Sequence, residues 1–485
     1  MKKNSLSSLL VLALFLGGCL PEERIWWSPN GREAAVVAEG ALHLVKADGA
    51  LGDPLMGGAA DKSVTPKALS WLPGGNGFVI YRERKIATWE EMSKLIPAPE
   101  ADKIALQALA MPALLAGAEN LAPQPADADA LLSSLASGAP EDFVIALLCA
   151  YQAHKEDIGN SLLKLPKGAE LLESLNGDDS EFTLYEICLV NIKADRKDGP
   201  PQSLARSLHA MSLPKVSPGQ NAVAWLQMSG SDLPPSIEVS SLDGRAQLTV
   251  CDSAKATFDW SPDGRSILFA TPVGGKGDSL AKIQRVAVIQ ESGALMKKSS
   301  EQTSEVMPAP TELGMAILLD PPRLQALPDG RALFASQPAT LPATGSGPEI
   351  NPKLFVVSAD GKTLEAVATA PGALPTNLSF FVASPDGKLA AVVESGNDAV
   401  AVIDLVTGAS RVISPSHPDW RCRTMPAWKS ATELTFAALE KPDSSPAWML
   451  WSKSGGVRPI SEKWPAQATG DWLKKEKPEQ KDPAK

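Results

Sequence analysis

The chain repeats one short structural unit seven times along its 485 residues. In each unit an apolar segment runs into a turn marked by Pro or Gly and continues into a second apolar segment. In a turn such as Ser261-Pro-Asp-Gly264, Pro fixes the φ of the second position, Ser or Asp bonds a nearby backbone N–H, and Gly accepts a positive φ. The unit is therefore predicted to be a tight β-hairpin. The seven turns are Trp27-Ser-Pro-Asn-Gly31, Trp71-Leu-Pro-Gly-Gly75, Val216-Ser-Pro-Gly219, Trp260-Ser-Pro-Asp-Gly264, Ala326-Leu-Pro-Asp-Gly330, Ala383-Ser-Pro-Asp-Gly387 and Trp428-Lys-Ser430.

These hairpins predict an all-β fold, a seven-bladed β-propeller. Most of them are followed by two further apolar segments around a second turn, and four antiparallel strands per repeat make a propeller blade. A Trp precedes the turn in four repeats, at positions 27, 71, 260 and 428, where it would fill the space between neighbouring blades. The alternative is a β-sandwich of unrelated hairpins, but a sandwich gives no reason for one turn to recur in one register. The repeats begin at an inner strand and end at an outer strand, so we expect the ring to close by side-chain packing alone.

Composition and charge agree with a folded, acidic protein. The chain is 44% hydrophobic and carries a formal net charge of -10, which indicates a globular rather than a disordered protein. Its 41 Pro and 37 Gly suit many short strands and turns better than long helices. The acidic balance lacks the basic footprint of nucleic-acid-binding proteins, so no nucleic acid is expected as a partner.

The first residues have the pattern of an export signal. Lys2 and Lys3 precede an apolar run over residues 6–16 that is too short to span a bilayer as a helix. The run ends in Leu16-Gly-Gly-Cys19, which resembles the lipobox of bacterial lipoproteins. The resemblance implies that residues 1–18 are removed and that Cys19 is acylated, and several acyl chains anchor a protein stably to a membrane. Because Leu20 rather than Asp follows, we expect an outer-membrane lipoprotein that faces the periplasm or the cell surface; the alternative is an ordinary secretory signal with a chance cysteine.

One blade is interrupted by a long insertion. The second strand of blade two, Phe78–Tyr81, finds its partner only at Phe182–Val190, and residues 84–180 between them have the apolar spacing of helices. Pro140-Glu-Asp suits the first turn of one of them. We expect four or five short helices that form a small subdomain. Loops of a four-stranded meander alternate between two faces, so the insert should lie opposite the Ser-Pro-Asp-Gly turns, either as a cap over the central channel or as a stabilising or partner-docking decoration.

The repeats resemble those of a known family. Ser-Pro-Asp-Gly followed by Lys or Arg, a β-branched strand and then an Asp-Gly turn looks like the repeats of TolB-type periplasmic propellers, and similar repeats occur in the propellers of prolyl oligopeptidases. The resemblance covers most of residues 25–461 and implies a propeller over residues 19–461. It also implies protein partners rather than catalysis, since TolB-like proteins bind proteins and are not enzymes. The chain departs from TolB in lacking the N-terminal α/β domain and in carrying a lipobox, so the partners of TolB itself are not implied; residues 462–485 are predicted to be a charged, disordered tail.

The strongest candidate for a ligand site is a polar loop that leads from blade six into blade seven. Arg421 and Arg423 suit a carboxylate or a phosphate, and Trp420 suits stacking on a ring. A second polar loop enters blade five on the same face. The alternative is ion pairing between adjacent loops around a packed Trp. The candidate residues are His417, Asp419, Trp420, Arg421, Arg423, Asp320 and Arg323.

Other chemical motifs are weak. Gly277-Asp-Ser-Leu280 spells the block of a family of serine esterases, but no Asp-x-x-His lies nearby, which indicates a chance match. The four His, at 43, 154, 209 and 417, are far apart, and the cysteines at 149, 188, 251 and 422 have no zinc spacing, so neither a metal nor a cofactor is expected. The sequence leaves three disulfide pairings open. Cys149 lies in an apolar helical run and is expected to be a buried free thiol.

Two functions are compatible with these patterns. The first is a membrane-tethered, non-catalytic propeller that binds another envelope protein or envelope component through its loop face and insert. The alternative is a hydrolase or lyase on glycan or peptide, with an active site at the channel mouth under the insert. Converging carboxylates, His or Arg at the mouth would favour the enzyme, and a greasy or shallow mouth would favour binding.

Overall fold

The structure, a computed structural model, covers the propeller and its insert. It describes residues 25–460 except 39, 47–50, 122–139, 166–167, 178–179, 193–199, 220, 229–232, 275–278, 291–292, 297–306, 320, 337–352, 368–377, 395–398, 415–424 and 440–445. The predicted signal with Cys19 and the predicted tail lie outside these residues.

Seven antiparallel sheets stand in a ring and form a seven-bladed β-propeller, as the repeats predict. Each sheet has four strands in chain order, and the first strands of neighbouring blades contact one another, so they surround the centre. Blades one to three consist of β1 (Ile25–Trp27), β2 (Glu33–Ala38), β3 (Ala41–Lys46) and β4 (Pro54–Gly57); β5 (Val64–Trp71), β6 (Gly77–Ile86), β7 (Phe182–Asn191) and β8 (Gln202–Ser207); and β9 (Met211–Val216), β10 (Ala222–Gln227), β11 (Ser236–Ser241) and β12 (Gln247–Cys251). Blades four and five consist of β13 (Phe258–Trp260), β14 (Ser266–Pro272), β15 (Leu280–Ala287) and β16 (Thr311–Ile317); and β17 (Leu324–Ala326), β18 (Ala332–Ser336), β19 (Lys353–Val357) and β20 (Leu364–Ala366). Blades six and seven consist of β21 (Leu378–Ala383), β22 (Leu389–Glu394), β23 (Val400–Asp404) and β24 (Ser410–Ser414); and β25 (Ala427–Ser430), β26 (Glu433–Leu439), β27 (Pro446–Ser452) and β28 (Gly456–Pro459).

The insert between β6 and β7 is helical, as predicted. One of its helices is much longer than expected, with 24 residues and Pro112 in its interior. None of the helices in the described ranges combines the length and apolar character needed to cross a bilayer. The helices are α1 (Trp89–Ser93), α2 (Ala98–Leu121), α3 (Pro140–Ala153), α4 (Lys155–Leu163) and α5 (Gly168–Asn176), and a 3₁₀ turn spans Gly58–Ala60 in the connection from blade one to blade two.

The Gly of the repeated turn is required by backbone conformation and by space. In blade four, Ser261 Oγ donates to Asp263 Oδ1 at 2.5 Å, and Gly264 closes the turn with φ of 68°. A Cβ on Gly264 would lie 2.1 Å from the carbonyl oxygen of Pro218 in the turn of blade three. Neighbouring turns are therefore in direct backbone contact, and only Gly fits there.

The Trp that precedes the turn ties neighbouring blades together by hydrogen bonding as well as by packing. Trp71 donates its indole N–H to the carbonyl of Trp26 at 2.9 Å, and Trp260 donates to the carbonyl of Lys215 at 2.8 Å. Trp428 donates to Val382 in the same way at 2.9 Å. Each acceptor is an inner-strand residue of the preceding blade, so the recurrent Trp holds adjacent inner strands in register.

Polar side chains of the inner strands complete these ties. Ser70 Oγ accepts from the backbone N–H of Val216 at 3.0 Å. Asp259 Oδ2 accepts from Ala326 at 2.9 Å, and Gln325 Oε1 accepts from Ala383 at 2.8 Å. In addition, Lys215 Nζ lies 2.9 Å from Asp259 Oδ1. These polar side chains therefore form hydrogen bonds and an ion pair between the inner strands of neighbouring blades.

The ring closes between blades seven and one without a shared strand, as expected. An apolar cluster that includes Trp27, Val36, Trp448 and Leu450 fills this seam. Hydrogen bonds also hold the seam, which corrects the prediction that the ring closes by side-chain packing alone. Trp27 donates its indole N–H to Thr435 Oγ1 at 2.9 Å, and that hydroxyl donates to the carbonyl of Ala427 at 2.9 Å. The seam therefore has the same inner-strand tie as the other blades, with one hydroxyl inserted.

The insert lies on the face opposite the repeated turns, as predicted. The turn of blade two joins Trp71 to Gly77, and the insert leaves β6 at its other end, after Ile86. Ile86, Phe182, Leu184 and Leu208 of the propeller share one apolar core with the helices. The insert is thus anchored on blade two and on the connection to blade three.

Candidate functional site

Most residues of the predicted loop site lie outside the described part of the chain. This holds for His417, Asp419, Trp420, Arg421 and Arg423 in the loop into blade seven and for Asp320 in the loop into blade five. They remain predictions.

Arg323 is the one predicted site residue whose surroundings are described. Its guanidinium carbon lies 4.0 Å from the ring centroid of Phe380, and its Nη1 lies 3.8 Å from the sulfur of Met425. The side chain therefore packs across the starts of the inner strands of blades six and seven, where a cation over an aromatic face is favourable.

The central channel contains a cavity of about 280 Å³ beside blades one, two, six and seven. None of the twelve side chains that line it is ionisable. The lining comprises Ile25, Trp26, Trp27, Leu69, Ser70, Trp71, Val382, Ala383, Met425, Pro426, Ala427 and Trp428. None of these described lining residues can act as a general acid or base.

A charged cluster that the sequence reasoning missed fixes the insert to the propeller. His209 lies in the connection from β8 to β9, and its Nε2 is 2.7 Å from Asp142 Oδ1 at the start of α3. Its Nδ1 is 3.3 Å from Glu100 Oε1 in the first turn of α2, and Lys103 Nζ is 2.5 Å from Asp142 Oδ2. Glu100 also accepts hydrogen bonds from the backbone N–H of Leu208 and from Ser207 Oγ. We call Glu100, Lys103, Asp142 and His209 the insert latch.

The insert latch is a structural ion-pair network rather than an acid–base pair. Burial disfavours a charged imidazole, but hydrogen bonds to Asp142 and Glu100 outweigh it and raise the pKa of His209 to about 9. Burial also acts against the Asp142 carboxylate, and hydrogen bonds from His209 and Lys103 nevertheless hold its pKa below the usual range. At neutral pH both ring nitrogens of His209 are therefore protonated donors, and the imidazole is not available as a base.

A second cluster, also missed, lies on the other side of the extended strands of blade two. Glu186 of β7 is fully buried, and it pairs in register with Arg82 of β6 and Arg206 of β8. Arg82 Nη2 is 2.9 Å from Glu186 Oε2, and Arg206 Nε is 3.0 Å from Oε1. Arg84 Nε lies 3.8 Å from Oε2 and is buried without a hydrogen-bond partner. We call Arg82, Arg84, Glu186 and Arg206 the arginine cluster.

Apolar residues flank the arginine cluster at two ends. On the side of the repeated turns, Ile80 and Cys188 pack against blade one. On the other side, Ile86 and Leu184 belong to the core of the insert. Burial raises the pKa of the Cys188 thiol to about 11, so it is not a reactive thiolate.

A sequence signal for the arginine cluster does exist. Glu186 interrupts an otherwise apolar central strand, and a carboxylate in such a place needs charged partners. Arg82 and Arg84 alternate along the neighbouring strand and so share one of its faces. The insert latch had no comparable signal, because its residues come from three separate segments.

Helix α2 presents an apolar surface to solvent. From Ile104 to Ala118 it contains no charged residue. Its inner face is buried through residues such as Met111 and Leu115, as helical spacing predicts. Leu106 and Leu109, however, are 68% and 77% exposed.

The described residues bear on three further predictions, which concern metal sites, the thiol of Cys149 and the esterase-like block. These residues hold no group of three or more His, Cys, Asp or Glu arranged to bind a metal ion. Cys149 is a buried free thiol, as predicted, and burial raises its pKa to about 11. Of the esterase-like block, Leu280 is the first residue of β15, and Gly277 and Asp278 lie outside the described residues.

No protein-family model matches the chain, and no curated protein matches it. Among solved structures, TolB from Acinetobacter baumannii matches with 17% identity and a TM-score of 0.38, over 56% of this chain and 58% of that one. A puromycin hydrolase matches with 15% identity and a TM-score of 0.40, over 57% of this chain and 43% of that one. An oligogalacturonate lyase in complex with manganese matches with 12% identity and a TM-score of 0.37, over 59% of this chain and 76% of that one.

TolB is thus among the solved structures to which part of this chain is similar. The chain spans less than two thirds of the length of the TolB and puromycin hydrolase structures. At these identities and TM-scores the similarities carry no functional conclusion, and the propeller rests on its own strand pairing.

Proposed function

We propose that this protein is a membrane-tethered, non-catalytic propeller of the bacterial envelope that binds another envelope protein through the face that carries the insert. The observation that carries the proposal is the exposed apolar surface of α2, formed around Leu106 and Leu109. Two exposed Leu on one uncharged stretch of helix are typical of a protein-binding surface.

The insert latch gives this surface a fixed position. Its contacts hold the first turns of α2 and α3 against the connection from blade two to blade three. The shared apolar core adds further contacts between the helices and blade two. A partner bound at α2 is therefore held by a rigid body, which lowers the entropic cost of binding.

The predicted anchor indicates where the partner is found. Strand β1 starts at Ile25 on the insert face, because its other end, Trp27, leads into a repeated turn. Six residue steps separate Cys19 from Ile25, and at about 3.6 Å per residue they span at most roughly 21 Å. An acylated Cys19 would therefore turn the insert face towards the membrane. The partner we propose is a membrane-embedded or membrane-anchored protein with an apolar surface complementary to α2.

The described residues of the channel are compatible with a binding role. Its cavity is lined by non-ionisable side chains, and the polar groups Ser70, Asp259 and Gln325 are engaged in bonds between blades. A catalytic carboxylate would have to be free of such structural bonds.

Site-specific photo-crosslinking in intact cells tests the proposal. A photoreactive residue in place of Leu109 should yield one discrete adduct with a membrane-fraction protein, and Leu106→Ser should abolish it. The matched control is position 406, because Val406 is 78% exposed but lies in a turn on the opposite face. Adducts only with lipid, or equal adducts at 109 and 406, would contradict the docking surface.

A second experiment tests the anchor. Cys19→Ala should leave the signal uncleaved or the protein outside the outer-membrane fraction, and it should also remove the adduct at position 109. Normal fractionation of Cys19→Ala with the membrane would refute the anchor.

A further inference from the structure

Among the described residues, the ion pairs of the arginine cluster leave an excess of positive charge. Three guanidinium groups lie within 4 Å of a single carboxylate, that of Glu186, and the resulting excess is two positive charges. The insert latch differs, because His209 and Lys103 balance Glu100 and Asp142 there. A partly buried surplus of charge is costly unless an anion accompanies it.

Part of the hydrogen-bonding capacity of the three guanidinium groups is also unused. A guanidinium group has five N–H donors in a planar fork. Arg82 uses Nε and Nη2 on Glu186 and also bonds Cys188, Arg206 uses Nε on Glu186, and Arg84 Nε is buried without a partner. Among the described residues, these contacts leave several N–H donors of the three groups for a ligand.

The cluster is open to solvent on one side. The exposed fraction of the side chain rises from 13% at Arg82 to 27% at Arg84 and 36% at Arg206. Glu186 itself is fully buried beneath them. The carboxylate thus holds the guanidinium groups in place, while the side chains of Arg84 and Arg206 remain partly exposed to solvent.

We propose that Arg82, Arg84 and Arg206 form a binding site for a dianionic phosphate group, either inorganic phosphate or a phosphate monoester. A dianion matches the surplus of two charges, whereas a carboxylate would leave one charge uncompensated. Arginine forks also match the geometry of phosphate oxygens, which accept paired hydrogen bonds. This site goes beyond the docking role of α2, and neither depends on the other.

Isothermal titration calorimetry of the full chain at pH 8 tests the site, because phosphate monoesters have a second pKa near 6 and are dianionic there. One arm uses inorganic phosphate and the other uses glycerol 3-phosphate; the compound that binds more tightly identifies the source. We expect saturable binding of one equivalent of at least one of them, and none of acetate at equal ionic strength. No saturable binding of either phosphate compound, or equal binding of acetate, would overturn the proposal.

The variant Arg84→Ala is the mildest test of the site, because Arg84 Nε has no hydrogen-bond partner and lies 3.8 Å from Glu186, the longest of the three ion pairs. It should weaken phosphate binding at least tenfold, as expected from the loss of charge-assisted hydrogen bonds. The matched control is Arg245→Ala, which removes the same charge from a side chain that is 88% exposed on a turn of blade three. Equal affinity of Arg84→Ala and the wild type would refute the site.

A second variant covers the case in which Arg84→Ala does not fold. Arg84→Lys keeps the charge and loses the planar fork, so it should fold and still bind phosphate more weakly than the wild type. If Arg84→Lys bound phosphate as tightly as the wild type, the guanidinium group of Arg84 would not be part of the site.

Discussion

The insert latch should make stability fall as the pH rises through the alkaline range. The pKa of His209 rises from 6.5 in the unfolded chain to about 9 in the folded protein. The stabilisation is then fully present below pH 6.5 and is lost as the pH rises through 9. At 1.36 kcal/mol per pKa unit, the change between pH 6 and pH 9.5 is about 3 kcal/mol. Asp142 has a lowered pKa, so its carboxylate stays ionised over this whole range and does not alter the sign.

Denaturant unfolding of the wild type and of His209→Gln at pH 6 and pH 9.5 measures this effect. The wild type should lose about 3 kcal/mol more than the variant between the two pH values, because other titrating groups cancel in the comparison. Hydrogen exchange should show the loss in α2 and α3, where Glu100 and Asp142 lie. His154→Gln is the matched control, since His154 is exposed on the same insert. An equal pH dependence in the wild type and His209→Gln would refute the latch.

Two further predictions concern the ring. Thr435→Val removes the bonds from Trp27 and to Ala427 with little change of volume, and it should lower the free energy of unfolding by about 1–2 kcal/mol. Thr435→Ser keeps the hydroxyl and loses only a buried methyl group, so it should retain the hydrogen bonds and be the more stable of the two; equal midpoints of the two variants would contradict the relay. Gly264→Ala and Gly219→Ala both place a side chain at a φ near 70°, a cost of about 1–2 kcal/mol, but only Gly264 faces the backbone of the next turn, whereas Gly219 faces open space. Gly264→Ala should therefore be clearly the less stable of the two in thermal unfolding, and equal stability would show that the turns are not in contact.

Local signals along the chain predicted the fold because each blade is built from neighbours in sequence. The repeated turn fixes a hairpin, and its register then places the Trp at the inner strand. The repeated hairpin does not assign strands β8, β15 and β16, although Gly or Pro residues precede each of them, because these strands lie outside the hairpin itself. The long α2 was also not anticipated, since Pro112 does not end it.

Contacts between distant segments could not be predicted in this way. Arg82 and Glu186 are 104 positions apart, and Glu100 and Ser207 are 107 apart. The whole insert separates Arg82 from Glu186, and most of the insert separates Glu100 from Ser207, so neither period nor spacing connects the members of each pair. The exposed side of α2 was hidden for a related reason: Leu106 and Leu109 have the same helical spacing as buried residues, and only the position of the core distinguishes them.

The two charged clusters meet in one short segment at the end of β8. Arg206 contacts Glu186, whereas Ser207 and His209 contact or approach Glu100. Successive residues of a strand point to opposite faces, so this segment can serve the arginine cluster on one side and the insert latch on the other. If a bound anion shifts the side chain of Arg206, it acts on the backbone segment that also carries Ser207 and His209. For this reason Arg84, which lies on β6 and not on that segment, is the residue whose substitution leaves the contacts of β8 with Glu186 and Glu100 in place.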